Sequence, residues 1–224
     1  MRAELPILYR DEALIAVDKP SGLLVHRGWG QAAEILVELL EAQLGAKVYP
    51  VHRLDRATSG VLLLGLSSDV ARRMQAQFEA HTICKRYLAL VRGRPPASFE
   101  VDHPVPRSED GPRVPAQTAF RTLESVGHLS VVLAEPRSGR LHQIRRHLKH
   151  VSHPIIGDAN YGKGALNREL RARCGLARLA LHASSLAFTH PLEDRRVVVS
   201  APLPEDLAGP LRVLGFDPSA HSQP

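Results

Sequence analysis

The stretch His52-Arg53-Leu54-Asp55-Arg56-Ala57-Thr58-Ser59-Gly60 leads straight into Val61-Leu62-Leu63-Leu64. Turn-forming residues give way here to an unbroken apolar run of the kind a buried strand carries. One carboxylate, Asp55, sits between two arginines at the mouth of that run. A lone Asp in a loop usually caps a turn by accepting from nearby backbone amides. Set between two guanidinium groups ahead of a strand, it is equally a candidate nucleophile.

On either side the chain is mixed, with strands dominating. Strand-like runs lie at Leu14 to Val17, Val61 to Leu66, Ile83 to Val91, Gln117 to Leu123, Leu129 to Ala134, Leu179 to Ala183 and Arg196 to Ser200. Two core-facing helices are expected. One spans Ala32 to Leu44, carrying Ile35, Leu36, Leu39 and Leu40; the other spans Asp69 to Ala80, with Val70, Met74 and Phe78 four apart and Ser68 as N-cap. A third helix places Leu141, Ile144, Leu148 and Val151 on an apolar stripe, with Arg145 and Lys149 four apart on an adjoining face. Arg94 to Pro115, rich in Pro, Gly and charge, reads as a long surface connection. No internal repeat is present.

Composition restricts the function classes. The chain of 224 residues is long enough for a sizeable core in one domain. No stretch reaches the roughly 18 to 20 apolar residues of a membrane span, and the start lacks a signal-peptide pattern, so a cytoplasmic protein without membrane association is expected. Cys84 and Cys174 form no Cys-x-x-Cys arrangement, which argues against structural zinc or a disulfide framework. The formal charge of +6 is concentrated: Arg137 to Arg178 holds ten Lys or Arg against only Asp158 and Glu169, a net +8, while the rest of the chain sums to −2. Clustering of that kind is the footprint of phosphate contacts. A single Trp, Trp29, and few aromatic residues argue against base-stacking platforms.

Four segments in this order carry a family resemblance: Val17-Asp18-Lys19-Pro20-Ser21-Gly22, the His52 to Gly60 string, Lys85-Arg86-Tyr87, and Ser138-Gly139-Arg140-Leu141-His142-Gln143-Ile144-Arg145. Together, over roughly residues 5 to 200, they resemble the RluA-type pseudouridine synthases. Leu24-Val25-His26-Arg27-Gly28-Trp29, Gly65-Leu66-Ser67-Ser68, Arg145-Arg146-His147-Leu148 and Leu181-His182-Ala183-Ser184 are similar to the branch that modifies uridine 65 of certain tRNAs. The chain departs from the family at Ala57, where proline is usual, and in the shorter Pro95 to Pro115 region.

The resemblance implies an α+β fold, a single catalytic domain over residues 1 to 224 with a mixed, largely antiparallel sheet flanked by helices. The core spans roughly 5 to 200, a C-terminal tail roughly 214 to 224, and no RNA-binding module of the S4 type is expected. It further implies Asp55 as the attacking carboxylate, Tyr87 lining the uracil pocket and Arg145 paired with Asp55. Such a guanidinium would offset the upward pull of burial on the aspartate and fix its attacking oxygen. Arg53 inherits the role of filling the space left by a flipped base. With Arg140 and Lys149 it makes up the expected substrate-binding set. Routes through a glycal and through addition at uracil C6 both remain open.

Other chemistries find less support in the residues. His142, His147, His150 and His153 are spaced to spread around a helix, without a His-Glu-x-x-His pattern, so no metal site is expected. Gly157-Asp158-Ala159-Asn160-Tyr161-Gly162-Lys163-Gly164 lacks the phosphate-loop register and reads as a structural turn. No dinucleotide fingerprint occurs, and no cofactor is expected. The expected partner is RNA, with tRNA ahead of large-subunit rRNA, and no protein partner is required. A catalytically silent RNA-binding or RNA-folding protein is the alternative from another class.

Overall fold

Why the apolar runs become strands is visible in how they alternate. In the strand Leu14–Lys19, Leu14 and Ala16 enter one core cluster while Ile15 and Val17 are fully buried on the opposite pleat. The strand Ser59–Gly65 repeats the pattern: Val61 and Leu63 join that cluster, and Leu62 and Leu64 are fully buried behind it. Burying each such Leu contributes about 1.5–3 kcal/mol. A strand covered on both faces has no reason to show polar alternation, which explains the unbroken Val61 to Leu64 run.

The computed structural model describes residues 4–26, 34–108 and 111–221. In chain order the elements are β1 (Ile7–Arg10), β2 (Leu14–Lys19), α1 (Leu36–Leu44), β3 (Tyr49–Pro50), β4 (Ser59–Gly65), α2 (Ser68–Glu79), β5 (Cys84–Arg92), β6 (Ser98–Asp102), β7 (Val105–Pro106), β8 (Arg113–Val114), β9 (Gln117–Val126), β10 (Leu129–Pro136), α3 (Gln143–His150), α4 (Gly164–Cys174), β11 (Leu181–Thr189), β12 (Arg196–Ser200) and α5 (Glu205–Val213). They pack into two compact units, residues 1–84 with 185–201, and residues 85–184 with 202–224. Strand β11 passes from the second into the first, so neither unit is a continuous piece of chain.

In the first unit β2 pairs antiparallel with both β1 and β4, running in register from Leu14↔Gly65 to Lys19↔Gly60, and β3 adds to β4. The second half of β11 pairs with β12, from Ser185↔Ser200 to Thr189↔Arg196. Helix α2 lays Val70, Ala71 and Met74 into the cluster that holds Val61, Leu63, Leu186, Phe188, Val197 and Val199. Its start lies so close to β4 that a Cβ on Gly65 would meet the Ala71 backbone nitrogen at 2.9 Å, so only glycine fits there. The N-cap is Ser67, whose hydroxyl accepts from the Val70 N–H at 3.3 Å, one residue earlier than the sequence predicts. Helix α1 begins at Leu36, because Ile35 is extended and bridges to Leu24; the expected start at Ala32, like Arg27 to Trp29, lies outside the described residues.

In the second unit β10 pairs antiparallel with β5 and β9, and β9 with β6. Leu207 and Leu211 of α5 line one apolar cleft with Leu88, Leu90 and Val131. The segment Arg94 to Pro115 is not the plain connection its composition suggests. It contains β6, whose Phe99 stacks on Phe120 of β9 at 4.9 Å, and the small β7–β8 hairpin, Val105↔Val114 and Pro106↔Arg113. Leu141 also departs from expectation. It precedes α3, whose N-cap His142 is left-handed (φ 52°), so the stripe that anchors this helix reduces to Ile144 and Leu148. The strand pairs described above are antiparallel, and the helices fall between them without building parallel β-α-β crossovers among those pairs, the α+β arrangement. No helix among the described residues is long and apolar enough to cross a membrane.

Candidate active site

The turn bearing Asp55 belongs to the first unit and is fastened through the main chain. Thr58 N–H donates to the Asp55 carbonyl at 3.0 Å, closing the turn. Gly22 N–H donates to the Arg56 carbonyl at 2.8 Å, the Arg56 Nε returns to the Gly22 carbonyl at 2.9 Å, and the Ser21 hydroxyl donates to the Ala57 carbonyl at 2.8 Å. Under this strap lies Lys19, fully buried, its ammonium donating to the carbonyls of Pro20 (2.9 Å), Leu23 (2.7 Å) and Arg56 (3.1 Å). Three carbonyl dipoles offset the cost of burying the charge, which gives the Asp18-Lys19-Pro20-Ser21-Gly22 segment a physical task beside the aspartate.

Along 52–55 the side chains divide. His52 accepts from Leu63 N–H at 3.0 Å and stacks on Phe78 at 4.8 Å, and Leu54 is buried. Arg53 is exposed and Asp55 half-buried. The anchored pair sets the direction of the other two.

The second unit holds Tyr87, Arg140, Arg145 and Lys149. Tyr87 sits in β5 opposite Ala134, between Lys85 and the apolar Leu88 to Leu90. Lys85 is buried and donates to the Ser138 carbonyl at 3.1 Å, tying β5 to the loop before α3. From α3 the buried Gln143 braces the same loop: its Oε1 accepts from the Ser138 hydroxyl (2.7 Å) and Arg140 N–H (3.1 Å), while its Nε2 donates to Gln117 O and Thr118 Oγ1, both at 3.0 Å. His147, without solvent exposure, lies between Thr118 Oγ1 and the His103 carbonyl, each at 2.9 Å. Burial holds its pKa below the ordinary histidine value, against the pull of that carbonyl.

Arg145 is buried and bidentate, but the carboxylate that engages its Nε (2.8 Å) and Nη2 (3.0 Å) is Asp158. Asp158 is 1% exposed, and its Oδ1 also accepts the N–H groups of Asn160 (2.9 Å) and Tyr161 (3.0 Å). Burial pushes this carboxyl upward in pKa, yet the hydrogen bonds from Arg145 and Tyr161 outweigh it and hold the group below its ordinary value. The Gly157 to Gly164 loop is therefore more than a turn. Gly157 itself is fixed, since a Cβ there would lie 1.8 Å from the Arg178 carbonyl oxygen. Lys149, expected to share the face of Arg145, is exposed instead, as is Arg140.

Sequence reasoning missed Asp158, although one signal could have found it. It is one of only two acidic residues in the segment of net +8, in an Asp-x-Asn pattern suited to accept backbone amides two and three residues on. The four histidines that resemble a metal cluster have separate tasks. His142 Nδ1 is 3.1 Å from the Tyr161 hydroxyl, His147 is enclosed as above, His150 stacks on His103 at 3.8 Å, and His153 Nδ1 is 2.9 Å from the Arg92 carbonyl.

With this geometry in view, the sequence profile of the RNA pseudouridylate synthases matches residues 13–150. The chain belongs to that family. The tRNA pseudouridine synthase C of Haemophilus ducreyi is 44% identical to it over 220 residues, 88% of this chain and 90% of the relative. The protein of the same name from Salmonella typhimurium is 40% identical over 95% of this chain and 90% of its own. Among solved structures, human RNA pseudouridylate synthase domain containing 4 superposes with a TM-score of 0.76 at 27% identity, covering 93% of this synthase and 92% of the human chain. The matched span contains the Lys19 strap, the Asp55 turn, Tyr87 and Arg145, but ends before Asp158. The synthase is an intramolecular isomerase.

Proposed function

We propose that this synthase converts uridine 65 of tRNA to pseudouridine in the cytoplasm, with Asp55 as its nucleophile and neither a cofactor nor a protein partner. The observation that carries the tRNA reading is the similarity to tRNA pseudouridine synthases C along nine-tenths of both chains. Retention of Asp55, Tyr87 and Arg145 on braced elements supports turnover over a silent RNA-binding role.

The reaction breaks the bond from ribose C1′ to uracil N1, turns the base and joins C1′ to C5. A proton leaves C5 and one arrives at N1, so the product is an isomer. Asp55 either bonds to C1′ or steadies positive charge there; both uses require the ionised carboxylate. Arg145, its fork set by the bidentate pair with Asp158, is the guanidinium assigned to this chemistry, a task for a planar fork more than for a lysine ammonium. Tyr87 stacks on the uracil and moves a proton with its phenol. Arg53, exposed beside the anchored His52 and Leu54, replaces the base that leaves its stem. Arg140 and Lys149 contact phosphates.

The test is to map pseudouridine in total RNA from cells with and without the gene, then to measure single-turnover conversion in folded tRNA, an isolated stem-loop and large-subunit rRNA domains at equal salt. Loss of one tRNA pseudouridine, restored by the purified protein, is the expected result. Site-specific reaction on rRNA with none on any tRNA would overturn it.

A further inference from the structure

Arg145 and Arg146 are adjacent on α3, yet their charges meet opposite circumstances. Arg145 is neutralised by Asp158. Arg146 has no carboxylate: among the described residues no ion pair and no hydrogen bond reaches its guanidinium, and its Nε is buried without a partner. What it has is an aromatic seat. Its Cζ lies 5.2 Å from the centre of the Tyr161 ring, and Arg145 Cζ lies 5.1 Å from the same centre.

The ring is held firmly. The Tyr161 hydroxyl is 3.1 Å from His142 Nδ1, the imidazole meets the ring edge-on at 5.8 Å, and the Tyr161 N–H donates to Asp158 Oδ1 at 3.0 Å. His142 and Arg146 stand one helical turn apart on α3, joined by the Arg146 N–H to His142 carbonyl bond of 2.9 Å. Asp158 therefore orders both the arginine it neutralises and the tyrosine on which the other rests.

A half-buried guanidinium stacked on a fixed ring, with no anion of its own, is built to receive one. We propose that Arg146, seated on Tyr161, binds a backbone phosphate of the RNA substrate, a contact distinct from the exposed Arg140 and Lys149. The ligand is a phosphate diester and not a base edge, because side chains cannot read the deep, narrow major groove of helical RNA whereas its phosphates are accessible. The stacked geometry leaves the fork pre-oriented, so less side-chain entropy is lost on binding than for a free surface arginine. This rests on the RNA-modifying reading.

The experiment measures equilibrium binding of a folded tRNA transcript by the full chain against salt, for Arg146→Gln, Arg146→Lys and, as a control for loss of one charge, Arg72→Gln, an exposed arginine paired with Asp69 on α2. Arg146→Gln should weaken binding by roughly three- to tenfold near 0.1 M salt and reduce the slope of log affinity on log salt by about 0.7–0.9, the loss of one phosphate contact. Arg146→Lys should keep the slope but lose about threefold in affinity, since an ammonium cannot fork. Arg72→Gln should change neither. If Arg146→Gln unfolds, the lysine variant decides: wild-type affinity there overturns the proposal, as does a wild-type slope in folded Arg146→Gln. Pseudouridine formation by the wild type in the same transcript tests the functional reading separately, because the salt slope reports phosphate contacts whether or not that uridine is the natural target.

Discussion

The turn that carries Asp55 and the helix that carries Arg145 are held by different kinds of bond. Around Asp55 the strap bonds described above are accepted by carbonyls of the main chain, of Pro20, Gly22, Leu23, Asp55, Arg56 and Ala57. Around Arg145 the bracing runs largely from side chain to side chain, through Asp158, Gln143, Thr118 and Ser138. Any residue supplies a carbonyl, so the turn depends on its donors, Lys19, Ser21, Gly22, Arg56 and Thr58, and tolerates change in the acceptors. The helix depends on both partners of each bond. Ala57 standing in the place of a proline is an instance of that tolerance.

The largest effect expected on either side is that of Asp55→Asn, which preserves shape and the main-chain strap but removes the charge. Single-turnover conversion should fall on the order of 10⁴-fold, the scale at which a reacting group is lost, with RNA affinity and melting temperature unchanged. Residual conversion within tenfold of wild type would remove Asp55 from the chemistry.

Asp158→Asn attacks the other side and should lower both activity and stability. It removes the buried carboxylate charge that Arg145 grips with two bonds, at a cost of about 3 kcal/mol, and lets the fork turn away from its orientation. The acid response identifies the cause. The folded-state pKa of Asp158 lies below its unfolded value, so its stabilisation is complete above about pH 4 and is lost as pH falls through the folded value. His147 acts earlier: with its folded pKa lowered by burial, the unfolded chain takes up the proton first, and stability begins to fall as pH drops below about 6.5. Urea midpoints from pH 8 to pH 2 should show both declines in the wild type and a smaller lower one in Asp158→Asn, what remains coming from Asp11, Asp69 and Asp217, which are also held below the ordinary carboxyl value. An unaltered lower decline would mean that the pair with Arg145 contributes nothing.

Lys19→Met tests whether one donor fastens the turn. Replacement removes three charge-assisted bonds but also the cost of burying an ammonium, so the net loss should be about 2 kcal/mol, with conversion slowed roughly tenfold as Asp55 loses its fixed position. Unchanged conversion with full stability would show that Ser21 and Gly22 suffice.

How much of this was legible from the sequence follows the same division. Runs such as Val61 to Leu64 and Leu129 to Ala134 betray strands because their burial is written locally, and β12 appears at its predicted bounds, Arg196–Ser200. Strand β6 was hidden. Pro95, Pro96 and the surrounding charges mask a short alternation whose partner, Phe120, lies about twenty residues away. Helix α4 carries too few apolar positions to stand out, with Leu170 its one buried residue, and α5 is masked by the proline inside it. The Lys19 segment and the Asp55 string were recognisable as motifs, but what joins them is a set of carbonyls, which no side chain announces. Asp158 escaped because its importance lies in a partner thirteen residues earlier.

The smallest effect sharpens the comparison most. Ala57 is the third residue of the turn closed by Thr58 N–H and the Asp55 carbonyl, and its own carbonyl is taken by Ser21. If proline at this place served only to restrict an otherwise loose turn, Ala57→Pro would stabilise the chain by about 0.4–1 kcal/mol through the unfolded state and leave conversion within about twofold. The strap already restricts the folded turn, so no gain in activity should accompany the gain in stability. Thermal melting and single-turnover rates on one preparation separate the two. A several-fold rise in rate would show that Lys19, Ser21 and Gly22 leave the turn mobile in this chain, and a loss of more than about 1 kcal/mol would show that the strap has fixed Arg56 or Ala57 in a conformation that proline cannot share.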